Sequence, residues 1–232
     1  MAMISQYSTK TLEVTVIPVT PFEQNCSLVI CATTRRAALI DPGGDIPQLL
    51  KEIERQHVVV EKILLTHGHL DHCSAAGQLA QQLNIPIEGP QRADQFWLNH
   101  LAQQIELYAF PKAPAVIPSR WLEEGDQVCF GQITLSVYHC PGHTPGHVIF
   151  FHPGSKLAWV GDVLFSGSIG RTDFPLGNHA DLIHSIRSKL FRLGDDVVFI
   201  PGHGPRSTFG AERMHNPYVS DQAVNRHTKF QA

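Results

Sequence analysis

The sequence predicts an α+β chain whose two β-rich halves form sheets packed face to face, with helices on the outside. Two observations carry that reading. Short runs of β-branched and apolar residues, separated by turn-prone residues, dominate both halves. Each half also passes through a helical stretch into a further strand, so one order of elements occurs twice. Strand ends repeatedly carry His or Asp, and strand-end loops converging on one edge are how a sheet scaffold builds a site.

The elements follow in order. Strands are expected over "LEVTVIPV" (12–19), "CSLVICA" (26–32) and "AALID" (37–41). After the "DPGG" turn, "DIPQLLKEIERQH" (45–57) has helical periodicity, with Asp45 as its N-cap. "EKILLT" (61–66) reads as a buried strand, and "CSAAGQLAQQLN" (73–84) as a helix of small and apolar residues. A third helix is expected over "DQFWLNHLAQQIELYAF" (94–110), ended by Pro111, Pro114 and Pro118. The β pattern restarts over 126–140 with a tight turn near Gly131, then continues in "HVIFFH", "KLAWVGD" and "DVVFIPGH". An amphipathic helix, "HADLIHSIRSKLFRL" (179–193), separates the last two.

Composition narrows the function classes. At 232 residues and 43% hydrophobic, the chain can bury a large core. A formal net charge of −3 with no Lys/Arg run points away from nucleic acid. No apolar run is long enough to span a bilayer and no secretory signal is visible, so no membrane partner and a cytoplasmic location are expected. Five cysteines without CxxC spacing suit a reduced interior better than a disulfide framework.

Histidine is the abnormal residue: of fourteen, six lie in three short Gly-containing motifs. In "THGHLDHC" (66–73), His67 and His69 are two apart. On a helix they would diverge by about 200° and could not share an ion, whereas an extended or turning segment brings both round to it. Gly68 permits such a backbone. Asp71 and His72 fall where a helix should begin, so their side chains point elsewhere. That geometry favours a split, with one pair serving one ion and one pair another. A catalytic divalent ion needs roughly three or four N/O ligands with an open position. "HCPGHTPGH" (139–147), "VGD" with Asp162, and "FIPGHGP" with His203 supply the remaining candidates.

The ordered set THGHLDH, PGHTPGH, GD and PGHGP resembles the metallo-β-lactamase superfamily over most of residues 14–205. The resemblance implies an αββα sandwich of two mixed sheets, with a single domain over 12–216 and a short tail over 217–232. It also implies two divalent metal ions per chain: His67, His69 and His143 hold the first, Asp71, His72 and His203 the second, and Asp162 bridges them. Zinc is expected first, with iron or manganese as alternatives, since mixed His/Asp sites accept all three. Cys73 and Cys140 read as small core residues and His147 as an orienting residue in its loop. Asp41 either supports a ligand histidine or simply shapes its turn, and both readings stand.

Two finer features resemble the glyoxalase II branch, the hydroxyacylglutathione hydrolases: "GDVLFSGSIGRTDFPLG" (161–177) and "PGHGPRSTFGAERMHNPYV" (201–219). Arg171 falls where that branch has a basic residue contacting glutathione; it either does so here or pairs with Asp173 or Asp162. Long members carry a C-terminal helical domain that this sequence lacks, which predicts a more open pocket. The expected reaction is hydrolysis of an anionic thioester such as S-D-lactoylglutathione to D-lactate and glutathione. A hydroxide generated between the metals attacks the carbonyl, and Asp71 or Asp162 also orients the water. Two divalent ions, two carboxylates and one hydroxide leave about +1, which attracts anionic substrates. The alternative is a mononuclear Fe(II) glutathione persulfide dioxygenase using His67, His143 and Asp162, with which the "GRTDF" run is shared. A third class, a non-catalytic or RNA-processing member, lacks any supporting basic segment. Oligomeric state is not legible.

Overall fold

The computed structural model describes residues 3–224. The first sheet holds β1 (Ser5–Ser8), β2 (Leu12–Val19), β3 (Gln24–Cys31), β4 (Arg36–Ile40), β5 (Val59–Leu64) and β6 (Ile87–Glu88), in that order. Its first three pairings are antiparallel and its last two parallel. The second sheet contains β7 (Gln127–Phe130), β8 (Ile133–His139), β9 (Val148–His152) and β10 (Leu157–Gly161). A small hairpin, β11 (Leu164–Phe165) and β12 (Ser168–Ile169), follows β10. The second sheet is then completed by β13 (Val198–Pro201), parallel to β10, and by β14 (Ser207–Thr208) at its edge. Both sheets are therefore mixed.

The two-residue period of these strands sorts their side chains into layers. Val29 and Cys31 on β3 face the second sheet and meet Val148 and Phe150 of β9 in the central core. Leu28 and Ile30, on the opposite face, pack on Leu49 of α1 (Ile46–Arg55). Cys73 of α2 (Leu70–Cys73) and Leu79 of α3 (Ala76–Leu83) complete that layer. Two further helices, α4 (Gln95–Asn99) and α5 (Leu101–Leu107), cover the same side. On the far side Ile149 and Phe151 pack with Leu182 and Ile186 of α6 (His179–Ser188) and Phe209 of α7 (Phe209–His215). The result is four layers, αββα. No helix among the described residues is long and apolar enough to cross a membrane.

Several expected elements differ in detail. Asp45 sits at the N-cap position of α1 in a left-handed conformation and does not cap it; its Oδ2 accepts from Thr20 N instead, at 2.7 Å. The helix expected over 73–84 is two helices, because Ala75 N leaves the ladder to donate to Pro42 O. The 94–110 helix breaks at His100, whose ring Nδ1 takes the Phe96 carbonyl and competes with the backbone. The stretch 179–193 ends its α-helix at Ser188 and finishes as a 3₁₀ turn. Strand β1 precedes residue 12 and joins the first sheet, and Val219 is buried beyond residue 216, so ordered packing extends past the expected boundaries at both ends. The last part of the expected tail, 225–232, lies outside the described residues.

Candidate metal centre

All seven expected ligand residues converge at one edge of the sandwich. His67 follows β5, and His69 holds an extended backbone just before α2. Asp71 and His72 lie within that single helical turn, so their side chains leave it in a different direction from the first pair. His143 comes from the β8–β9 loop, Asp162 directly follows β10, and His203 follows β13. Gly68 is needed for space rather than for backbone freedom: a Cβ there would stand 2.7 Å from Trp97 Cβ.

The donors form two triads. His67, His69 and His143 offer one set of ligand atoms, and Asp71, His72 and His203 the other, each set within 4.8 Å. Asp162 stands between them. Its Oδ1 lies 3.3 Å from His72 Nε2, and its Oδ2 lies 3.7 Å from His143 Nε2 and 3.8 Å from His203 Nε2. A third grouping of Asp41, His67 and His72 is geometrically close. It is not a further site, because Asp41 engages the outer nitrogen of His72 at 2.9 Å and spends its other contacts on Thr66.

Hydrogen bonds on the far side of four of the five rings fix which nitrogen faces inward, while the outer Nε2 of His69 has no partner among the described residues. His143 Nδ1 donates to Arg171 O at 2.7 Å, His203 Nδ1 to Phe22 O at 3.1 Å, and His72 Nδ1 to the Asp41 carboxylate. Thr66 Oγ1 gives its proton to Asp41 at 2.6 Å and so accepts from His67 Nδ1 at 3.0 Å. Four Nε2 atoms thereby face inward, each offering a lone pair once its ring is neutral. His69 is the exception and turns Nδ1 inward, 3.1 Å from His67 Nε2 and 3.0 Å from His143 Nε2. Three basic nitrogens crowd one point, and two carboxylates and two more nitrogens crowd another. Among the described residues, buried His72 Nε2 and Asp162 Oδ1 have no hydrogen-bond partner. Such clusters of His nitrogens and carboxylate oxygens fit divalent metal ions.

The electrostatics differ between the triads. Burial pushes the pKa of His67 well down, that of His69 to about 3, and that of His143 down as well. Burial opposes charge on His72 and His203 too. There the carboxylates of Asp162 and Asp71 prevail, raising His72 well above its ordinary value and His203 less so. Asp71 and Asp162 are correspondingly low: burial raises them, but His72 and His203 together outweigh it, with His143 adding to the effect on Asp162.

Several supporting residues were only partly legible. Asp41 does support a ligand histidine, through His72, and does so from a left-handed backbone. His147 is buried and accepts from Asp162 N at 3.1 Å while stacking on His67, an orienting role. Cys73 and Cys140 are buried core residues. Arg171 is exposed and pairs with Asp173 through Nε and Nη2, at 2.9 and 2.8 Å, while lying over the Phe174 ring. Phe174 was not foreseen. Its ring stands 5.1 Å from that of His69 and walls the first triad together with Trp97. Asp94 and Gln104 were missed as well; both contact the backbone of the 67–70 loop.

Comparison with known proteins is consistent with this geometry. The model of the metallo-beta-lactamase superfamily matches residues 19–203. A hydroxyacylglutathione hydrolase, GloC, of Haemophilus influenzae is 43% identical over 213 residues, covering 91% of this chain and 100% of that protein. Among solved structures, the BLEG-1 B3 metallo-beta-lactamase superposes with a TM-score of 0.81 at 32% identity, covering 94% of this chain and 99% of the other. TTHA1623 in a di-iron-bound form gives 0.80 at 33% identity, covering 88% and 99%.

Proposed function

This chain belongs to the metallo-β-lactamase superfamily, and we propose that within it the protein is a dinuclear thioester hydrolase acting on hydroxyacyl thioesters of glutathione. The reaction is S-D-lactoylglutathione plus water to D-lactate plus glutathione. The observation that carries the reading is the complete second triad, Asp71, His72 and His203, joined to the first across Asp162. The hydrolase relative of like length supports the substrate class.

Two divalent ions, zinc in the first instance and iron or manganese otherwise, would lower the pKa of a shared water and polarise the thioester carbonyl. The chain's residues hold the geometry for that. Asp41, Phe22 O, Arg171 O and Thr66 fix the ring orientations, so each inward nitrogen is presented without rearrangement. Asp162 and Asp71 remain carboxylates and are able to accept a hydrogen bond from the attacking water, orienting it. Phe174 and Trp97 give the first triad an apolar wall that limits bulk water on that side. The leaving thiolate is stable at neutral pH, so no dedicated general acid is required. Arg171, at the lip of the site, is the proposed contact for the anionic glutathione arm, exchanging its Asp173 partner for substrate.

The second reading, a mononuclear Fe(II) persulfide dioxygenase, needs only His67, His143 and Asp162 and gives the second triad no role. One preparation decides between them. Thioester loss from S-D-lactoylglutathione is compared with O₂ uptake on glutathione persulfide, alongside metal analysis. Thioesterase activity at two metals per chain is expected. Oxygen uptake without thioesterase activity, at one iron per chain, overturns the hydrolase.

A further inference from the structure

Asp94 is buried, belongs to neither triad, and lies in a segment that reads in sequence as the start of an ordinary helix. Its carboxylate does not cap α4. Instead it reaches the two loops that carry the first triad. Oδ2 accepts from Gly68 N at 2.9 Å, between His67 and His69, and from Thr144 Oγ1 at 2.8 Å, next to His143. Oδ1 accepts from Gly146 N at 2.6 Å. The same segment returns a backbone bond from Gln91 N to Gly146 O at 2.9 Å.

Both loops admit the segment by lacking a side chain where it passes. A Cβ on Gly146 would stand 2.4 Å from Asp94 N, and one on Gly68 would meet Trp97 Cβ at 2.7 Å. Burial pushes the Asp94 carboxyl up to about 6, while its three hydrogen-bond donors favour the charged form against that desolvation.

We infer that Asp94 is a positioning residue: by clamping the His67–His69 loop to the His143 loop it sets the spacing of the first triad and hence that triad's affinity for metal. The inference rests on the metal-centre reading but not on the substrate. A carboxylate accepts from three donors at once. An amide of the same shape keeps one accepting oxygen and loses the charge: with that oxygen on Gly68 N and Thr144 Oγ1 its NH₂ faces Gly146 N, so the Gly146 bond is lost and the remaining two weaken while the volume is kept. The second triad shares none of these bonds.

The test uses zinc alone, in competition with a chromophoric chelator, on the full chain in two backgrounds. His203→Ala leaves the first triad intact and His143→Ala leaves the second. Asp94→Asn is expected to weaken zinc binding about 10–100-fold in the His203→Ala background, the usual scale for an outer partner of a metal site. In the His143→Ala background the change stays within about threefold. Thr144→Val, which removes one donor from the same carboxylate, gives a smaller loss confined to the same background, and it decides the matter if Asp94→Asn does not fold. Equal losses in both backgrounds make Asp94 a general packing residue and overturn the inference, as does an unchanged zinc affinity in the first. No substrate enters the measurement, so the thioester reading stands or falls separately.

Discussion

The two triads are neighbours built to different electrostatic plans. The first consists of three imidazoles, all buried, whose pKa values burial drives down; they are neutral before any cation arrives. The second contains a carboxylate and shares Asp162, and its more exposed member, His203, retains 29% side-chain accessibility. There the carboxylates raise the pKa of His72 and, less strongly, of His203 against the effect of burial. A neutral triad relies on its scaffold to keep three mutually indifferent rings together, hence the hydrogen bonds on the outer nitrogens of His67 and His143 and the Trp97 and Phe174 rings against His69. A charged triad attracts a cation by itself but must first release protons to accept it.

The largest effect that would break this comparison comes from removing the group both triads share. Asp162→Ala is expected to lower kcat/KM for S-D-lactoylglutathione by about 10³-fold or more, the upper end of what one transition-state-stabilising group supplies. A loss under tenfold means Asp162 does not join the sites. Next, Asp71→Ala removes a ligand of the second triad alone. Metal content measured by mass spectrometry should fall by about half, with hydrolysis down at least 10²-fold; undiminished hydrolysis rules out a role for the second ion.

Proton competition sharpens the difference. His72 and His203 are raised above their ordinary values, so protons must leave as metal binds. Zinc affinity of the second triad should therefore climb steeply as pH rises through neutrality. The first triad, already deprotonated there, should show a shallower rise. Equal slopes between pH 6 and pH 8 in the two single-site variants would contradict the plan.

Asp94 provides a smaller and independent check. Its folded pKa, about 6, lies above the ordinary carboxyl value of 3.8, so the folded state binds the proton more tightly than the unfolded state. The charged form costs stability that appears as pH rises through that window. In the metal-free protein, urea unfolding should show Asp94→Asn gaining about 1 kcal/mol on the wild type between pH 5 and pH 7. A constant difference shows that the carboxyl is not perturbed. Smallest of all, Arg171→Ala breaks only an exposed ion pair, and is expected to raise KM by a few-fold with kcat unchanged. A large fall in kcat would place Arg171 in the chemistry itself.

What the sequence made legible was what local pattern encodes. The near-continuous apolar runs of β3 and β9 announce strands buried on both faces, and the Gly-flanked histidines sit at strand ends within a few residues of one another. The split within "THGHLDH" followed from backbone periodicity alone. Long-range partners were not legible. Asp45 and Asp94 each open a helix and look like caps, yet each accepts from donors far away in the chain: Thr20 for one, Gly68, Thr144 and Gly146 for the other. A capping acid and a clamping acid have the same local sequence, and only tertiary packing tells them apart. Asp41 is ambiguous in sequence for the same reason, since its partners Thr66 and His72 lie 25 and 31 residues away in the chain. The parallel pairings of β4 with β5 and β10 with β13 also depend on crossovers that single-strand patterns do not specify.

The central claim is that hydrolysis needs both triads filled. It is tested most directly by titrating the metal-free protein with zinc while following S-D-lactoylglutathione hydrolysis. This account expects activity to remain low up to one equivalent per chain and to rise towards its maximum as the second is added. Maximal activity at one equivalent, unaltered by the second, would contradict it.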